Sequence, residues 1–131
     1  MGVHLPSVSS TTFVGPLPAN ATETIILQLP PLNLSLDNAQ VILHWFANII
    51  AGVNNTALAY RIRRGTTVTG VQVGAATWSA AVTAGNGVQL SGFYVDTPGV
   101  VGGQQYVLTV VQSAATGAGT FNDGAILAYV L

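Results

Sequence analysis

The sequence predicts an all-β protein, an antiparallel β-sandwich of jelly-roll type with about eight strands and an extended N-terminal arm. Three observations carry this reading. Apolar residues recur with a period of two along most of the chain, the spacing that places alternate side chains on one face of a strand. Gly, Pro, Asn and Asp interrupt these runs at short intervals, as they do in sandwiches and barrels. The breaks at Pro30-Pro31 and Asp96-Thr97-Pro98-Gly99 suit long corner crossings between two sheets, which favours a jelly roll over an immunoglobulin-like sandwich. The 131 residues suffice for one domain with a real core: residues 1–20 read as the arm, residues 21–131 as the sandwich.

In the arm, Pro6, Pro16 and Pro18 disfavour helix and central-strand pairing. Val8, Phe13, Val14 and Leu17 are nevertheless too apolar for a purely solvated tail. These four residues are expected to form a docking arm that adds a strand to a neighbour's exposed edge. The competing reading makes the same segment the first strand of its own sandwich. Residues 22–29 alternate cleanly until Pro30-Pro31 ends them, and Leu32, Leu34 and Leu36 mark a short edge strand. The chain is organised around residues 39–64. Val41, Leu43, Trp45, Ala47 and Ile49 face one way, while Ile42, His44, Phe46, Asn48 and Ile50 face the other. Both faces are largely apolar, so this strand calls for cover on both sides. Beyond Gly52-Val53-Asn54-Asn55, Leu58, Tyr60 and Ile62 alternate with Ala59, Arg61 and Arg63, giving one apolar face and one basic face.

Farther along, Arg64-Gly65-Thr66-Thr67 reads as a turn and residues 68–73 as a short strand. Ala76, Trp78, Ala80 and Val82 then share a face of the next strand. Gly85-Asn86-Gly87 is a hairpin signal, because Asn and Gly tolerate positive φ. Residues 88–95 follow, then the Asp96-Gly99 turn, and Gly102-Gly103 opens a strand over residues 105–112. Asn122-Asp123-Gly124 is expected to turn the chain into a last strand whose Leu127, Tyr129 and Leu131 share a face. The aromatic residues Trp45, Trp78, Phe93 and Tyr94 all lie in apolar strands and read as core.

Charge is the compositional anomaly. Three arginines and four acids make up 5% of the chain, against roughly 25% in a typical soluble domain. There is no lysine, half of the residues are hydrophobic, and the mean hydropathy is +0.55. A surface so poor in charge favours association. No run reaches the ~18–20 apolar residues of a spanning helix, and residues 1–6 lack the basic and apolar regions of a signal peptide. No membrane partner is therefore expected, and the protein is expected to be made in the cytoplasm without a signal peptide. A net charge of −1 also argues against nucleic acid as a partner, since phosphate binding scales with the cations engaged. Without cysteine, disulfides and thiolate metal sites are excluded.

Few side chains invite chemistry. His44 would need partners to serve in catalysis or metal binding, and the other histidine, His4, lies in the arm. Of the four acids, Asp37, Asp96 and Asp123 sit beside Pro, Gly or Asn, where Asp favours its own backbone hydrogen bonds. Neither a Gly-x-Ser-x-Gly elbow nor a phosphate-cradling glycine loop occurs. No enzyme, catalytic residue, cofactor or metal is expected. The arginine cluster Arg61, Arg63 and Arg64 is expected to bond carboxylates or carbonyls, within the fold or in a neighbouring subunit. Arg61, Arg63, His44 and Phe46 are accordingly the expected subunit-interface residues.

The stretch Arg61-Ile62-Arg63-Arg64-Gly65-Thr66-Thr67-Val68-Thr69-Gly70, with Asp96-Thr97-Pro98-Gly99 and Gln104 to Val110, resembles small jelly-roll structural proteins of tailed bacteriophages. These include capsid decoration proteins and head- or tail-associated proteins. The resemblance covers roughly the C-terminal two thirds of the chain and implies a non-enzymatic virion component, often trimeric. The expected function is thus a structural component of a virus particle, a capsid decoration or minor capsid protein that self-associates and docks on the shell. Its expected partners are copies of itself, as a trimer, and a major capsid or other virion protein. The alternative is a receptor- or carbohydrate-binding tip domain of a phage fibre.

Overall fold

A computed structural model of the chain describes residues 22–52, 56–113 and 119–131, together with the backbone of Ser7–Val8 and Thr11–Thr12. The described residues form eleven strands: β1 (Ser7–Val8), β2 (Thr11–Thr12), β3 (Thr24–Gln28), β4 (Leu32–Leu34), β5 (Val41–Ile50), β6 (Leu58–Arg64), β7 (Gln72–Trp78), β8 (Gly87–Asp96), β9 (Gly102–Gln104), β10 (Tyr106–Gln112) and β11 (Thr120–Val130). All pairings are antiparallel. One sheet has the order β1-β11-β5-β8, the second has β2-β3-β10-β6-β7, and β4 and β9 form a small third pair.

The pairing pattern identifies the architecture. Leaving aside β2, β4 and β9, the first strand pairs with the last (β1–β11), the second with the second-last (β3–β10), then β5 with β8 and β6 with β7. This nesting is a long hairpin rolled into two facing sheets, the jelly roll that the sequence predicts. It also places Ser7–Val8 on the chain's own β11 and Thr11–Thr12 on its own β3. Phe13, Val14 and Leu17 of the expected docking arm lie outside the described residues.

The core lies between the two sheets. Val41, Leu43, Trp45, Ala47 and Ile49 of β5 face Leu58, Tyr60 and Ile62 of β6 and Tyr106, Leu108 and Val110 of β10, all buried. The Trp45 and Tyr60 rings stack across the gap with centroids 5.0 Å apart and planes at 28°. Opposite Trp45 on β8 stands Gly92, and a Cβ there would overlap the indole. The Tyr60 hydroxyl is buried with no partner among the described residues, and burial pushes its phenol well up.

Two polar links span the sheets where apolar contact thins. Asp96, the buried last residue of β8, accepts hydrogen bonds from Arg64 Nε (2.8 Å) and Nη2 and from the Tyr106 hydroxyl (2.8 Å). Burial raises the Asp96 carboxyl, but the bonds from Arg64 and Tyr106 outweigh it and hold the group below the usual carboxylate range. At the edge of the sandwich, the Tyr94 hydroxyl of β8 donates to the Ala75 carbonyl (2.6 Å) and meets the Thr77 hydroxyl (2.9 Å) on β7.

Four local expectations need correction. Residues 68–73 and 76–82 do not make two strands; a single β7 runs through Gly74, which has φ +70°, and residues 67–70 form the turn. A side chain at Gly74 would overlap the Tyr94 ring, so this kink, not the alternation, sets the strand. Gly85-Asn86-Gly87 is not a hairpin, since β7 and β8 lie in different sheets and Gly85 (φ +84°) turns the chain across between them. Asn122-Asp123-Gly124 is a bulge inside a continuous β11, where the register against β5 shifts between Phe121 and Asp123. Asp96 is an inter-sheet ligand and not simply a turn residue.

These contacts set two expected outcomes. Tyr106→Phe removes a hydrogen bond to a carboxylate and should cost about 1.5–3 kcal/mol, whereas Tyr60→Phe removes an unpartnered hydroxyl and should be neutral or stabilising. Denaturant unfolding of the two variants checks the contrast. Because the Asp96 pKa is depressed in the fold, its contribution is present at neutral pH and lost as the pH falls below about 4. Asp96→Asn should therefore lower the melting temperature at pH 7 and flatten its decline between pH 5 and about 2.5, as thermal scans across that range would show. The neutral-pH loss should lie between the about 1 kcal/mol of an exposed pair and the about 3–5 kcal/mol of a buried one, since Arg64 is about one-third exposed.

Candidate functional site

The outer faces of the two sheets differ in chemistry. On the second sheet, Arg61 and Arg63 of β6 point outward beside Thr109 of β10 and Glu23, which immediately precedes β3. Arg63 grips Glu23 with Nε to Oε1 at 2.7 Å and Nη2 to Oε2 at 2.9 Å, and its Nη1 donates to the Gly70 carbonyl at 2.9 Å. The Thr109 hydroxyl donates to the same carboxylate at 2.5 Å, so one acid links three neighbouring strands or their flanks. Burial raises the Glu23 carboxyl, but the hydrogen bonds from Arg63 and Thr109 and the charges of Arg63 and Arg61 hold it low. On this face Arg63 and Glu23 satisfy each other, while Arg61 has no ion pair among the described residues.

The outer face of the first sheet carries no such network. Its centre is His44 on β5, in register with Phe93 on β8 and Leu127 on β11. One step along, Ile42 lies between Val95 and Tyr129; one step back, Phe46 lies between Ser91 and Ala125. The His44 and Phe93 rings meet edge-on at 4.7 Å, and the Tyr129 ring lies 6.2 Å from His44 on the other side. His44 is exposed, and Phe93 and Val95 are 55% and 50% exposed. The acid nearest this face is Asp123, at the far end of β11 in register with Asn48. No Lys, Arg or Glu stands on the outward positions of β5, β8 and β11.

The structure thus separates the expected interface residues. His44 and Phe46 share the first sheet's outer face, while Arg61 and Arg63 stand on the second, and the acid that holds Arg63 is the chain's own Glu23. Of the arm residues, Val8 pairs through its backbone with Leu127, at the border of the His44 face. Sequence reasoning missed Phe93 and Val95 and assigned both Phe93 and Trp78 to the core. Phe93 points out because β8 alternates Tyr94 inward, and Trp78 is 56% exposed because the register shift in β7 turns it away. The usable signal was register: once β8 pairs with β5, Phe93 must lie beside His44.

Chemically, the face offers apolar contact, aromatic edges and one imidazole. Among the described residues no group of three His, Cys, Asp or Glu side chains could hold a metal ion, and His4 lies outside them.

No family model matches the sequence, and no curated protein matches it. Solved structures do. The chain is similar to a structure of the icosahedral viral particle of infectious bursal disease virus, with a TM-score of 0.65 and 13% identity over 97% of this chain. It is also similar to the structure of the Gx strain of that virus (TM-score 0.59, 14% identity) and to its VP2 subviral particle (TM-score 0.54, 13% identity), again over 97% of this chain. In these matches the chain spans only about a third of the other chain's length, 31–33%. At such identities the likeness concerns the fold alone. The chain shares its jelly-roll fold with a part of these viral-particle structures.

Proposed function

We propose that this chain is a non-enzymatic structural component of a virus particle, a decoration or minor capsid protein that self-associates and docks on the shell. The observation that carries the reading is the uncharged stretch of the first sheet's outer face around His44, Phe93 and Tyr129. Ile42, Phe46, Val95 and Leu127 extend it, and Phe93 and Val95 are half exposed to water. Burying apolar surface contributes about 25 cal/mol per Å², so a face of this composition gains by being covered. The capsid-like fold and the scarcity of charge support the same reading. Residues 1–20 would join this surface at its β11 side, where Val8 already pairs with Leu127. The trimer implied by the phage resemblance is the proposed oligomer, and a major capsid or other virion protein the proposed partner.

Light scattering on the purified chain tests the proposal. The wild type should run as a multiple of the 13.4 kDa monomer, by a factor divisible by three if the trimer is right. Phe93→Glu and Leu127→Glu place charge on the face without opening the core and should shift the mass toward the monomer. Their melting temperatures should change little, since surface substitutions cost within about 0.5 kcal/mol. A wild type that stays monomeric at micromolar concentration, or variants that keep its mass, would refute the proposed contact. Loss of mass in Arg61→Ala instead would move the contact to the second sheet.

A further inference from the structure

Backbone geometry distinguishes the rims of the two sheets. On one side, each sheet ends in a two-residue strand, β1 or β2. On the other side the sheets end in β7 and β8. The β7 rim is blunted: Gly74 kinks it, its register against β6 shifts, and the carbonyls of Gly74 and Ala75 accept from Gln72 Nε2 and the Tyr94 hydroxyl. No such device interrupts β8. It runs ten residues in unbroken register with β5, with no proline, and its one charged residue, Asp96, points inward at its end.

The direction of its free groups follows from the ladder. Ala51 N donates to the Asn86 carbonyl at 3.0 Å and the Ala51 carbonyl accepts from Gly85 N at 2.8 Å, so Ala51, one step beyond Ile50, directs its backbone groups toward the β8 side. Antiparallel pairs alternate between bonded and non-bonded, so Val88, Leu90, Gly92 and Tyr94 bond β5. Gly87, Gln89, Ser91, Phe93 and Val95 then direct their N–H and C=O groups away from the sheet. Leu131 N donating to the Gln40 carbonyl agrees, because it assigns the even-numbered residues of β5 to β11. Five consecutive alternate residues present an unoccupied row of donors and acceptors among the described residues. Such a row is a template for another strand.

We infer that β8 pairs antiparallel with β8 of a second copy of this chain across a two-fold axis, joining two four-stranded sheets into one of eight strands. The occupant follows from the strand itself. Residues 87–95 carry no charge, so two copies meet without like-charge repulsion, and a strand run against itself is self-complementary in its backbone groups. The half-exposed Phe93 and Val95 would continue the apolar face across the seam. Residues 7–8 and 11–12 are weaker rivals for this rim, being already paired to β11 and β3 of their own chain. The inference rests on the proposed self-association but uses a separate contact, the rim of the sheet and not its flat.

Amide hydrogen exchange of the full chain at low and high concentration, read residue by residue, tests it. Leu90, Gly92 and Tyr94 should be protected at both concentrations, whereas Gln89, Ser91, Phe93 and Val95 should gain protection only at the higher one. Ser91→Pro removes an outward donor while leaving the bonds to β5, and should halve the mass measured by light scattering and abolish the alternating protection. Gln89→Pro, one repeat away, guards against a local folding fault and should do the same. An oligomer whose β8 amides exchange alike at both concentrations would overturn the rim contact while sparing face-to-face association. A chain that is monomeric throughout would overturn both.

Discussion

Two ion pairs absorb most of the charge this protein possesses. Arg63 with Glu23 and Arg64 with Asp96 engage four of its seven charged side chains, leaving Arg61, Asp37 and Asp123. Both pairs link strands that are distant in sequence. The first ties β6 across Thr109 of β10 to the segment entering β3, and the second, with Tyr106, pins the end of β8 to the facing sheet. Each guanidinium meets its carboxylate with two nitrogens, the geometry that makes arginine preferable to lysine at such points. Charge is thus spent on holding the roll closed, and little remains for the surface.

That allocation makes the two sides of the sandwich unlike. The second sheet's outer face carries a polar network, because its central strand β10 places Thr109 between Arg61 and the Glu23 carboxylate. The first sheet's central strands, β5 and β11, carry Ile42, Phe46, Leu127 and Tyr129 in the equivalent outward positions. A strand that is apolar on both faces is ordinary in a sheet covered on both sides. In β5 one of those covers is the second sheet, stacked through Trp45 and Tyr60, and the other is what the proposed assembly would supply.

Much of this was legible in the sequence where periodicity was undisturbed. The two faces of residues 41–50 and of residues 58–64 follow from alternation alone, and with them the central strands of both sheets. Where backbone irregularity intervened, alternation misled. Gly74 and the register shift in β7 reverse which residues face inward, which is why Trp78 reads as core and stands exposed. The bulge at Asn122 looks in sequence like a turn, since the same residues tolerate both. The partners of Arg63 and Arg64 lie 40 and 32 residues away, a separation that no local pattern encodes. Likewise, His44 was visible as an outward residue, but its aromatic neighbours became apparent only once β8 and β11 were in register with β5.

The nested pairing also orders events during synthesis. β11, the last of the described strands in chain order, lies in the middle of the first sheet, between β1 and β5. Until it emerges from the ribosome, β5 can pair only with β8, and β1 has no partner in its sheet. The nascent chain must therefore keep the largely apolar β5 half-paired until β11 has been made. Pairings of such long sequence separation close slowly, so the interval before β11 joins β5 is when this sandwich is most open to capture by chaperones or by other nascent copies.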